Sequence, residues 1–80
     1  MSIILKGGRM ELRNNLADFR KKAGYNQADL GGLVGVSRQT ISLIERGDYN
    51  PSVTVALTIA MVLGVDINEI FSLEESDEEK

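Results

Sequence analysis

The stretch Gln27–Gly47, QADLGGLVGVSRQTISLIERG, decides the fold. Leu30 and Val34 lie one helical turn apart, and Asn26 stands where a helix cap belongs, so a short helix is expected over residues 27–34. Gly35 stops it, in a left-handed backbone conformation that most residues disfavour. Ser37 caps the next helix, Arg38 to about Arg46, and Gly47 ends it. The four-residue connection Val34-Gly35-Val36-Ser37 is a sharp turn that sets the second helix across the first. Leu30, Val36, Ile41 and Ile44 then face inward, and Arg38, Gln39, Ser42, Leu43 and Arg46 face outward.

Working outward, Leu12, Leu16, Phe19 and Ala23 recur at helical spacing, which predicts a first helix from Glu11 that Gly24 closes. Downstream, Asp48-Tyr49-Asn50-Pro51-Ser52 is rich in turn formers. A fourth helix follows from about Ser52 to Leu63, closed by Gly64. Its inward positions are expected to be Val53, Ala56, Leu57, Ala60 and Leu63. Asp66-Ile67-Asn68-Glu69 has the spacing of a capping box and opens a short fifth helix ending near Phe71. No strand run rises above Ile3-Ile4-Leu5. The expectation is an all-α five-helix bundle over residues 10–73, preceded by an arm or extension at 1–9 and followed by an acidic, disordered tail at 74–80.

Composition narrows the function. Eighty residues make one domain. With no Cys and no His there is no disulfide framework, no thiolate or imidazole metal site and little acid–base chemistry near neutral pH. No residue set calls for a cofactor, and no nucleophile or pocket accompanies Glu45 and Asp48, so an enzyme is not expected. The longest apolar stretch, Val53–Val65, is too short for a membrane span, which needs roughly 20 residues, so a cytoplasmic location is expected. The net charge of −3 belongs to the tail: residues 74–80 carry −4 and residues 1–73 carry +1. The body has no pronounced basic footprint.

Two short helices joined by a Gly-Val-Ser turn form a helix-turn-helix, and the surrounding residues resemble the repressor/Cro-type, or xenobiotic-response-element, family with its lambda-repressor-like domain. The resemblance rests on Arg20, Gly24-Tyr25-Asn26-Gln27, Leu30, Gly35 to Ser42, Ile44-Glu45, Gly47, Asn50-Pro51-Ser52, Leu57, Ile59-Ala60, Leu63-Gly64-Val65 and Ile70-Phe71, spread over residues 11–73. It implies a small transcriptional regulator, a repressor, that binds double-stranded DNA with helix 38–46 in the major groove. Arg38 would suit guanine and Gln39 adenine, with Ser42 and Leu43 also at the bases, Leu43 against a thymine methyl or nothing. Asn26, Gln27, Ser37, Thr40, Arg46, Tyr49 and Asn50 would meet phosphates. Arg20 and Glu45 would form a structural ion pair beneath the recognition helix. Where relatives add Lys or Arg after that helix, this chain has Asp48, so modest non-specific affinity is expected.

The outer face of the fourth helix carries no charge. Together with the fifth helix it is expected to form a homodimer interface through Val55, Thr58, Met61, Val62, Ile67, Ile70 and Phe71. Two other readings stand beside the regulator. One is an antitoxin that represses its own operon and sequesters a small protein partner. The other is an interaction module that has lost DNA binding, favoured by the near-neutral body, Leu43 and Asp48. Residues 1–9 admit three readings: an arm carrying Lys6 and Arg9 along DNA, an edge strand for a partner chain, or a translated ribosome-binding site ahead of a start at Met10. The acidic tail either only solvates or competes with DNA for Arg38 and Arg46.

Overall fold

A computed structural model describes residues 9–76, in the order β1 (Arg9–Asn14), α1 (Leu16–Lys22), α2 (Gln27–Val34), α3 (Arg38–Glu45), α4 (Val53–Leu63), α5 (Ile67–Ile70) and β2 (Phe71–Ser76). The expectations for residues 1–8 and 77–80 lie outside the described residues.

The turn between α2 and α3 follows from its residues. The Asn26 side chain accepts from the Asp29 N–H at 2.7 Å, and Asp29 returns a bond to the Asn26 N–H, a complete capping box. Gly35 takes φ +93°, and the N–H groups of both Gly35 and Val36 donate to the Gly31 carbonyl. Ser37 Oγ accepts from the Thr40 N–H at 3.0 Å and starts α3. Gly31 is the point of closest approach: a Cβ there would sit 2.7 Å from the Val36 carbonyl oxygen. Its neighbour Gly32 faces open space.

Leu16, Leu30, Ile41, Ile44, Ala56, Ile59, Ala60, Ile70 and Phe71 make the buried core, with Leu12, Phe19, Val34, Val36, Val55, Val62, Leu63 and Ile67 packed against it. The inward positions of α2 and α3, Leu30, Ile41 and Ile44, are as the apolar spacing predicts. Those of α4 are not. Ala56, Ile59, Ala60 and Leu63 form its inward stripe, while Val53 is 74% and Leu57 48% exposed. The helix is apolar almost all round, so hydrophobicity alone does not select a face.

The molecule is mostly helical but not all-α. β1 and β2 pair antiparallel, with Leu12 opposite Leu73, Asn14 opposite Phe71 and Glu11 opposite Glu74. The expected helix over Glu11–Asn14 is therefore a strand, and α1 starts only at Leu16. Asn14 causes the shift. Its Oδ1 accepts from the Leu16 N–H at 3.0 Å, its Nδ2 donates to the Ile44 carbonyl at 2.9 Å, and the Asn15 N–H donates to the Ile70 carbonyl at 2.8 Å. These bonds take the backbone out of the helical path and fasten β1 to α3 and α5. Phe71 begins a strand, and Glu74 and Glu75 belong to it rather than to a disordered tail. Among the described residues, no helix is long and apolar enough to cross a membrane.

Candidate nucleic-acid interface

At the start of α3, Arg38 and Gln39 are exposed side by side, next to the Ser37 cap. Thr40 is half-buried, its hydroxyl 3.0 Å from that of Ser37, so these two side chains are partly committed to each other. Ser42 and Leu43, expected to face outward, are half-buried. Asn26 is exposed but its Oδ1 serves the cap of α2. Beyond α3, Arg46, Tyr49 and Asn50 are exposed, and Arg46 lies 3.3 Å from Asp48.

Behind this surface is a buried lock. Arg20 of α1 donates through Nε to Glu45 Oε2 at 2.6 Å and through Nη2 to Oε1 at 3.1 Å. Its Nη1 donates to the Tyr25 carbonyl. Gln27, expected at a phosphate, donates its side-chain amide to Glu45 Oε1 at 3.0 Å instead. Burial pushes the Glu45 carboxyl up, but hydrogen bonds from Arg20 and Gln27 and the charges of Arg20 and Lys21 outweigh it. The group is held below the ordinary carboxylate range. The bond to Glu45 raises Arg20 in turn, against burial. Three elements thus meet on one carboxylate at the last residue of α3, which fixes that helix against α1 and α2. Sequence reasoning found Arg20 and Glu45 but missed Gln27 as their third member and Asn14 as the tie from β1. Side-chain amides carry no periodic signal.

Residues 16–70 match the helix-turn-helix family model. The chain belongs to this family. It is a DNA-binding transcriptional regulator of the repressor/Cro type, and the family is not one of enzymes. It is 41% identical over 66 residues to YgzD, an uncharacterised HTH-type transcriptional regulator of Bacillus subtilis, covering 82% of this chain and all of that one. An uncharacterised HTH-type regulator of Methanocaldococcus jannaschii is 42% identical with the same coverage. Among solved structures, the restriction-modification controller protein C.AhdI of Aeromonas hydrophila superposes with a TM-score of 0.64 at 31% identity, over 68% of this chain and 78% of that one. The regulator VanUg superposes over 95% of this chain and 99% of its own at TM-score 0.68 and 23% identity, a likeness of fold.

The expected dimer residues are divided by the fold. Ile70 and Phe71 are 1% and 8% exposed in the chain's own core, and Val55, Val62 and Ile67 pack against that core. Helix α5 is a single turn, too short to present both an inner and an outer apolar face. Met61, 79% exposed, stays outward and is joined there by Val53 and Leu57.

Proposed function

We propose that this regulator is a repressor that binds duplex DNA as a homodimer, each copy laying α3 in a major groove. The observation that carries the reading is the exposed pair Arg38–Gln39 at the capped start of a helix locked from behind by Arg20, Glu45 and Gln27. A base-reading helix must be rigid, because a bidentate contact is lost with small displacements. Arg38 reads guanine and Gln39 adenine; Ser42 and Leu43 line the helix flank toward the bases. Asn26, Ser37, Thr40, Arg46, Tyr49 and Asn50 meet the backbone on either side, and Gln27 contributes its backbone N–H at the start of α2. Such binding places the protein with the chromosome, in the cytoplasm.

The second copy docks on the exposed α4 stripe of Val53, Leu57 and Met61, with Thr54 and Thr58 beside it. The face is apolar and uncharged, and a two-fold pair matches two half-sites about one turn of DNA apart.

Fluorescence anisotropy tests the reading. Duplexes from the protein's own upstream region are compared with random duplex at two salt concentrations, and wild type with the Arg38→Ala/Gln39→Ala variant. The expected result is selective, salt-weakened binding whose selectivity the variant loses. Failure to bind even random duplex at low salt favours the interaction module, for which the α4 stripe and the Arg46–Asp48 contact already speak. Co-purification of a small protein from native lysate favours the antitoxin.

A further inference from the structure

Beside the recognition helix, the proposed phosphate contacts Arg46 and Asn50 face a polar groove whose far wall belongs to the strand pair. Arg13 of β1 forms one wall, and Arg46 and Asn50, just past α3, form the other. The walls are tied together, since Asn14, next to Arg13, donates to the Ile44 carbonyl of α3. Both guanidinium groups carry acidic neighbours at loose distances. Arg13 lies 3.2 Å from Glu11 and 3.5 Å from Glu74, and Arg46 lies 3.3 Å from Asp48. All five side chains are well exposed, a setting in which an ion pair contributes little and exchanges readily.

Resting on the DNA-binding reading above, we propose that Arg13 and Arg46, with Asn50, form a clamp for a DNA backbone phosphate, and that Glu11, Asp48 and Glu74 are resident counter-ions which the phosphate displaces. A guanidinium presents five donors in a planar fork that suits a phosphodiester better than a single carboxylate at 3.3 Å. The strand pair thereby becomes part of the footprint. Arg13 and Glu74 sit on opposite strands, so the register that brings Glu11 opposite Glu74 also sets how firmly Arg13 is held. The carboxylates reduce affinity for any duplex without touching base selection, because phosphates carry no sequence information directly.

The test measures salt-dependent binding to random duplex for wild type, Arg13→Gln, Arg46→Gln, Asp48→Asn, Glu11→Gln/Glu74→Gln and Asp18→Asn. The last removes one charge, as Asp48→Asn does, from an exposed site on α1 that does not line the groove. Each arginine variant is expected to weaken binding and make the slope of log K against log salt shallower by about 1. The groove carboxylate variants should tighten binding several-fold with the preference for a specific site unchanged, and Asp18→Asn should tighten it much less. The carboxylate variants keep Arg13 and carry the test even if Arg13→Gln frays the strand pair. Equal tightening by Asp18→Asn would reduce the effect to net charge and overturn the clamp. Unchanged affinity in the groove variants, with selectivity still lost in Arg38→Ala/Gln39→Ala, would overturn the clamp and leave the DNA reading standing. A wild type that binds no duplex would remove both.

Discussion

Glu45 and Arg46 are neighbours in the chain, and each belongs to an arginine–carboxylate pair, yet the two pairs have opposite character. The Glu45 pair with Arg20 is buried, two-pronged, as short as 2.6 Å, and shared with Gln27. The Arg46 pair with Asp48 is single, 3.3 Å long and largely exposed. A single peptide bond at the end of α3 separates a lock from a latch. Desolvation makes the difference: a charge taken out of water must keep its partner, and a charge left in water need not. The protein holds its reading helix with the first kind of pair and leaves the second kind where an outside anion arrives.

The largest effect expected from breaking this contrast is on the buried side. Arg20→Ala strands the Glu45 carboxylate and should cost about 3–5 kcal/mol of stability in urea unfolding. Replacing both partners with apolar residues of similar volume, as in Arg20→Met/Glu45→Leu, should recover part of that loss, because no orphan charge remains and only the Gln27 amide and the Tyr25 carbonyl lose a partner. Acid should do the same work as mutation. The folded Glu45 pKa is depressed, so its stabilisation is fully present above the unfolded value near 4.3 and is lost as pH falls through the folded value. Glu45→Gln should flatten this acid limb in a pH series of thermal melts.

A second pair of neighbours sharpens the point next. Gly31→Ala drives a Cβ to 2.7 Å from the Val36 carbonyl and should destabilise by about 2–3 kcal/mol. Gly32→Ala meets nothing and should stabilise α2 by about 1 kcal/mol, since glycine inside a helix is costly. Opposite signs at adjacent positions, read by the same melts, would distinguish packing from helix propensity; equal losses would contradict the open space at Gly32, and equal gains the close approach at Gly31. The smallest effect belongs to the latch: Asp48→Asn should change stability by less than about 0.5 kcal/mol.

The sequence was most legible where a residue's job is local. The caps at Asn26, Ser37 and Asp66, the left-handed Gly35 and the inward Leu30, Ile41 and Ile44 follow from spacing within a few residues. The Arg20–Glu45 pair was legible through family resemblance. Leu12 misled because its spacing to Leu16 is helical, while its strand partner Leu73 lies at the far end of the chain. Asn14, which redirects the backbone, looks like any polar residue between the apolar positions of a helix. On α4, side chains apolar on nearly every face left the choice to packing, which turned Val53 and Leu57 outward and reassigned the expected dimer surface. Gln27 reads as a phosphate contact because nothing in its neighbourhood reveals a carboxylate from α3 beneath it.

The strand pair has one more consequence, in the order of folding events. Registering Arg9 against Ser76 closes the chain on itself around all five helices. A loop of roughly 60 residues must be ordered before that contact is rewarded, whereas the helix-turn-helix closes over a few. The clasp is therefore the last part to form and the first to open, and its strand amides should exchange hydrogen by local unzipping while those of α3 and α4 wait for global unfolding.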